Sequence, residues 1–134
     1  MDFILNHLAV GSFGEALLLP DDIDAFLCVA EEKELQETDR LSEKIPVTDM
    51  QPIPARQLAA AVEWIHKHID DHRILVFCNA GVGRSPSIIV GYLCCELGYR
   101  FGEAVEYVAR RHPGMSTLPE LITSVEDAEK LLEG

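Results

Sequence analysis

The sequence predicts a single α/β domain, with a central, mostly parallel sheet of four or five strands flanked by helices. Two observations lead there. Short apolar runs alternate along the chain with stretches whose apolar residues recur every three or four positions, the βα alternation that builds parallel sheets. The 134 residues and 48% hydrophobic content suffice for one core and are too few for two ordinary domains. No internal repeat, low-complexity tract or linker divides the chain, so residues 1–134 are expected to form one domain.

The runs Leu8–Val10, Ala25–Val29, Ile45–Val47 and Ile74–Phe77 are short and continuously apolar, as strands buried on both faces are. Leu58, Val62, Ile65 and Ile69 form one stripe at helical spacing, which predicts a surface helix with one buried face. Ile88–Leu97 is apolar nearly all round and stops at Gly98, a natural C′ residue, which predicts a buried central helix too short to span a bilayer. Leu118, Leu121, Ile122, Val125 and Leu132 predict a second amphipathic helix near the end.

The chemistry lies between the fourth run and the buried helix. Cys78-Asn79-Ala80-Gly81-Val82-Gly83-Arg84-Ser85 places a cysteine at a strand end, then two glycines, an arginine and a serine before Pro86, a residue tolerated in the first helical turn. Ser85 is expected to be the N-cap. Unpaired amides and the positive end of the helix dipole make such a start an anion site, and Gly81 and Gly83 allow the backbone N–H groups to turn inward. A tetrahedral oxyanion fits, so Asn79, Ala80, Gly81, Val82, Gly83 and Arg84 are the expected phosphate-binding residues. A free thiol has a pKa of about 8.5, and a helix N-terminus with a nearby cation favours its ionised form, so Cys78 is the expected nucleophile. Arg84 offers a planar fork of donors to two phosphoryl oxygens. The Ser85 hydroxyl can cap the helix, hydrogen-bond the thiolate as it departs from a phosphocysteine, or both.

This loop resembles the Cys-x5-Arg-Ser/Thr signature of the cysteine-dependent protein tyrosine phosphatases. Ile45-Pro46-Val47-Thr48-Asp49 and Gly91-Tyr92-Leu93 are similar to the compact dual-specificity branch of that superfamily, and the similarity runs from about Leu8 to about Leu132. The resemblance implies hydrolysis of phosphotyrosine, and of phosphoserine and phosphothreonine, through a phosphocysteine intermediate with no metal or cofactor. Members usually carry a histidine before the nucleophile that helps order the loop and ionise the thiol; here that residue is Phe77. Relatives acting on inositol lipids tend to place lysines in the loop, whereas Asn79, Ala80, Val82 and Gly83 are neutral, so a phosphorylated protein or peptide is the implied substrate. Tyrosine-specific relatives carry a long insertion after the first strand; Gly11 to Ala25 leaves little room for one, which implies a shallow pocket. Two alternatives stay open: a catalytically weak phosphate-binding relative, and arsenate reduction or sulfur transfer on the same loop.

A leaving oxygen needs a proton, hence a carboxylic acid near Cys78. Sites in open α/β sheets gather beyond the carboxyl ends of the strands. Asp21, Asp22, Asp24, Asp70 and Asp71 precede strands and belong at the other edge. Asp49 follows Ile45–Val47, opens the loop Met50-Gln51-Pro52-Ile53-Pro54, and matches the acid loop of the phosphatases it resembles, so it is the expected general acid. Asp39, which also follows a strand, is the second candidate.

Eleven basic against 23 acidic residues give a formal net charge of −12, which disfavours nucleic acid and anionic membrane as partners. Cys28, Cys78, Cys94 and Cys95 show neither zinc spacing nor a disulfide framework, and no leader pattern opens the chain, so a cytoplasmic monomer is expected. Cys94 and Cys95 read as core filling. Cys28 either is simply buried or sits close enough to Cys78 for a protective disulfide. His66 and His68 diverge on their helix, which disfavours a shared metal. His112, after Arg110 and Arg111, either borders the pocket or is one of several solvated helix-end charges.

Overall fold

The ILVFC run forms the middle of the sheet, because each of its residues is buried and only a strand with neighbours on both sides satisfies such a segment. The computed structural model describes residues 1–35 and 37–134. Its elements are β1 (Asp2–Leu5), β2 (Leu8–Ser12), α1 (Phe13–Leu17), β3 (Ala25–Ala30), β4 (Leu41–Val47), α2 (Ala55–His68), β5 (Ile74–Cys78), α3 (Arg84–Leu97), α4 (Phe101–Arg111) and α5 (Leu121–Glu133). The sheet order is β1-β2-β5-β3-β4, parallel except for β1, which pairs antiparallel with β2. This is the expected α/β architecture, with five strands.

Register fixes the site's position. Ser12 lies beside Cys78, and Cys28 beside Phe77, so the carboxyl ends of β2, β5 and β3 meet around the loop after Cys78. Helix α3 is buried from Arg84 through Cys94 and packs against α2 and α4. It ends where Gly98 adopts φ 74°, a left-handed turn that glycine takes without steric penalty. No helix among the described residues is long and apolar enough to cross a membrane.

The elements differ from expectation in instructive places. Strand β4 begins at Leu41 rather than Ile45; Ser42, Glu43 and Lys44 are tolerated because it is an edge strand, and so is Pro46. The last helix starts at Leu121. Leu118 precedes it, buried, with its N–H donated to Ser87 Oγ at 3.0 Å. Ile122 is about half exposed, off the stripe that Leu121, Val125 and Ala128 bury. Strand β1 and helices α1 and α4 are additions. α1 carries a capping box, Ser12 with Glu15, that the Ser-x-x-Glu spacing announces. α4 buries Ala104 and Val108, four residues apart.

Candidate active site

Between the end of β5 at Cys78 and the start of α3 at Arg84, the loop is held from outside by its carbonyls. The Asn79 carbonyl accepts from the Phe13 N–H at 3.1 Å, and the Val82 carbonyl from the Ser116 N–H at 2.8 Å. Across a trans peptide the next N–H points the opposite way, so these bonds turn the Ala80 and Gly83 amides away from the surrounding protein and toward the helix start. Gly81 has φ 75°, and a Cβ there would lie 2.8 Å from the Gly11 carbonyl carbon. Gly81→Ala should therefore distort the loop, at about 1–3 kcal/mol of strain, and abolish oxyanion binding measured by calorimetry while the fold survives. Wild-type affinity in that variant would contradict the placement of the loop against β2.

Cys78 and Arg84 are each 2% exposed. Cys78 Sγ is 3.2 Å from Ser85 Oγ, and the Ser85 N–H points at the same sulfur at 3.4 Å. Ser85 is not the helix cap. The helix starts two residues earlier than expected, with Gly83 at the cap position and no side-chain cap, which places Ser85 inside the first turn beside the sulfur. Its hydroxyl also lies 3.4 Å from the Gly11 carbonyl.

Arg84 departs from expectation in how its fork is used. Its two terminal nitrogens donate to Glu32 Oε1 and Oε2, both at 2.7 Å, and one of them also to the Val47 carbonyl at 3.1 Å. The outer edge of the guanidinium is thus occupied by a carboxylate, while the buried Nε has no hydrogen-bond partner and lies 3.7 Å from Asp49 Oδ1. The hydrogen bonds from Arg84 hold the Glu32 carboxyl at about 2, well below its ordinary 4.5, and the same pairing raises Arg84. A depressed carboxyl stabilises the fold above the unfolded value and loses that contribution as pH falls from about 4.5 toward 2, so the pair is intact at neutral pH. Glu32 is the residue that sequence reasoning missed. It follows β3 at the carboxyl edge, and the rule that selected Asp49 selects it too.

Asp49 stands just after β4 as expected, and its Oδ1 accepts from the Met50 N–H at 3.0 Å. Met50 holds φ 61°, a strained position for a side-chain-bearing residue directly beside the carboxylate. Asp49, Cys78, Ala80, Val82, Gly83 and Arg84 line one cavity of about 360 Å³ together with Met50 and Ser116–Pro119. Asn79 and Gly81 are not on its wall. Among the described residues, no three His, Cys, Asp or Glu side chains gather as metal ligands.

The other candidates separate from this site. Asp39 precedes β4, and since Leu41 lies beside Ala25 and Ala25 beside Ile74, it belongs to the edge where those strands begin, opposite Cys78. Asp24 sits at that same edge, accepting from the Arg73 N–H at 2.8 Å. Cys28 shares a face of the sheet with Phe77, its register partner, and alternation sends Cys78 to the other face; the pair is not placed for a disulfide. Burial pushes the Cys94 thiol to about 11 and the Cys95 thiol to about 12. His66 pairs with Glu96, and the His68 ring lies tilted against that of Trp64. Phe77 is fully buried, its ring 6.4 Å from that of Phe13.

Known proteins share this fold. The fold superposes on the crystal structure of human tyrosine phosphatase-like serine/threonine/tyrosine-interacting protein with a TM-score of 0.84, at 19% identity, over 100% of this chain and 98% of that one. In sequence, the chain is 34% identical over 65 residues to protein-tyrosine-phosphatase IBR5 of Arabidopsis thaliana, covering 48% of this chain and 25% of that protein. It is 37% identical over 62 residues to dual specificity protein phosphatase 1B of the same plant, covering 46% and 36%. The matched stretches thus span about a quarter to a third of the curated relatives. The family described as dual specificity phosphatase, catalytic domain, matches residues 12–130, nearly the whole chain, and to that family this protein belongs.

Proposed function

We propose that this protein is a cysteine-dependent phosphatase that hydrolyses phosphotyrosine, and phosphoserine or phosphothreonine, in protein substrates. One observation carries the reading: a buried sulfur, an arginine Nε without a partner and a carboxylate line the same cavity at a helix start. Cys78 as thiolate attacks phosphorus, the bond to the leaving oxygen breaks, and Asp49 donates its proton to that oxygen. Asp49 then takes a proton from the water that hydrolyses the phosphocysteine, and the thiolate leaves with a hydrogen bond from Ser85. The Ala80 and Gly83 amides and the Nε edge of Arg84 hold the phosphoryl oxygens, with Glu32 fixing the guanidinium plane. The neutral loop and the net charge of −12 favour a phosphoprotein over an anionic lipid or nucleic acid, and four free cysteines suit a monomer in the cytoplasm. Turnover of an aryl phosphate in the presence of a chelator, lost in Cys78→Ser, tests the class.

A second reading has its own support. Phe77 stands where family members carry histidine, which favours a phosphate-binding relative without turnover; oxyanion binding with no hydrolysis of any phosphopeptide would establish it. Arsenate reduction is disfavoured because Cys28 lies on the other face of the sheet and Cys94 is buried in α3.

Leaving-group chemistry separates an acid from a loop residue at position 49. Proton donation matters most for a basic leaving oxygen, so Asp49→Asn should cost about 10²- to 10⁴-fold on phosphotyrosine or phosphoserine peptides and progressively less for acidic phenols. Equal losses across all leaving groups would remove the acid role from Asp49.

A further inference from the structure

A third loop carbonyl is held differently from the other two. Asn79 and Val82 bond to backbone N–H groups, which no substitution of a side chain removes. The Gly81 carbonyl instead meets a side chain, His112 Nε2, at 2.6 Å. His112 is the residue immediately after α4, and its side chain is 16% exposed. Its other ring nitrogen, Nδ1, lies 2.6 Å from Asp2 Oδ2 on β1, the strand against which α4 packs. The neighbouring arginines turn elsewhere, Arg110 to Glu106 and Arg111 over the Tyr107 ring, so the imidazole is not one of a set of solvated helix-end charges.

A carbonyl and a carboxylate oxygen only accept, so with both contacts made the ring donates from both nitrogens. The Gly81 carbonyl has particular need of such a donor. Glycine at φ 75° has no Cβ to restrict the following peptide plane, and rotation of that plane would carry the Val82 N–H out of the cradle.

We propose that His112, oriented by Asp2, is a positioning residue of the phosphate site: by holding the Gly81 carbonyl outward it keeps the Val82 amide directed at the bound oxyanion. Asp2 sets the ring plane, much as a carboxylate partner orients an imidazole in other sites. This makes strand β1 and the segment after α4 part of the phosphate-binding apparatus, although neither contributes a cavity-lining residue through this contact. The inference rests on the reading of the loop as a phosphate cradle.

The test exploits the two ends of the imidazole. A glutamine amide nitrogen reaches the position of Nε2, and an asparagine amide nitrogen that of Nδ1. Both substitutions remove the ion pair with Asp2 and should lower the thermal midpoint alike; only His112→Gln retains a donor for Gly81. Calorimetric titration of the full chain with orthovanadate should show His112→Asn weakened at least about tenfold, which is about 1.4 kcal/mol. His112→Gln should stay within about threefold of wild type, and Asp2→Ala should fall between them. Equal affinities in His112→Asn and His112→Gln, whether both lowered or both unchanged, would overturn the proposal. Nitrogen-15 spectra of the unsubstituted protein give a check that needs no variant: His112 Nε2 should carry the proton that it donates to the Gly81 carbonyl, and a bare Nε2 would overturn the clamp. Failure of the wild-type protein to bind vanadate at all would overturn the cradle reading and the clamp with it, whereas wild-type binding with no His112 effect removes the clamp alone.

Discussion

Cys78→Ser should lower turnover of aryl and peptide phosphates by at least about 10³-fold while inorganic phosphate still binds. The separation follows from the construction of the site. In the proposed mechanism the sulfur is the attacking atom, whereas the oxyanion is held by backbone amides and by Arg84, none of which depends on the identity of the side chain at position 78. A serine hydroxyl at this position, next to Ser85 Oγ, keeps its proton far more firmly than a thiol does and is the weaker nucleophile. Residual activity within about tenfold of wild type would remove the covalent mechanism, and loss of phosphate binding together with turnover would show that the sulfur anchors the loop itself.

Arg84→Lys should also be severe despite the conserved charge. The terminal nitrogens of the guanidinium meet both oxygens of Glu32 and its Nε has no hydrogen-bond partner, the edge that the proposed mechanism gives to phosphate. One ammonium cannot hold a bidentate carboxylate and a phosphoryl oxygen in fixed directions together. A loss of at least tenfold in kcat/KM, about 1.4 kcal/mol, is expected, with KM for the phosphopeptide raised as well. Glu32→Gln provides the complementary test. It keeps one accepting oxygen but removes the charge that fixes the guanidinium plane, so it should lower kcat/KM less than Arg84→Lys. A larger loss from Glu32→Gln than from Arg84→Lys would mean that Glu32 has a part in the chemistry rather than in the placement of Arg84.

What the sequence made legible follows from how local each signal is. The strand, loop and helix around Cys78 are written contiguously, so the burial of Ile74–Phe77, the glycines and the stop at Gly98 all read directly. Asp49 was legible through topology, because a residue just past a parallel strand must emerge at the same edge as Cys78. Asp39 shows where that reasoning ends: it follows β3, but the chain has already crossed back, and only the true start of β4 at Leu41 reveals it. That start was hidden because an edge strand alternates polar residues that a search for continuous apolar runs passes over.

Side-chain partnerships were less legible. Glu32 carries no local signal of its own in the sequence, and the bidentate pairing with Arg84 depends on β3 and β5 being neighbours. His112 depends on a contact with β1, itself overlooked because Asp2–Leu5 is a short antiparallel edge strand. Ser85 reads from the sequence equally as helix cap or as partner of the sulfur, and the actual helix start at Arg84 leaves only the second place for its hydroxyl. In each case the tertiary partner decides the use of the side chain.

The covalent step on Cys78 is the point on which the proposed chemistry turns. Rapid mixing with a phosphotyrosine peptide, quenching in acid within a single turnover and sequencing the digested chain by mass spectrometry would locate any phosphoryl group carried by the protein. Phosphate on Cys78, accumulating in Asp49→Asn with good leaving groups and absent from Cys78→Ser, is the expected result. Full turnover by the wild-type chain with no phosphocysteine at any quench time, or with the phosphoryl group on another residue, would contradict it.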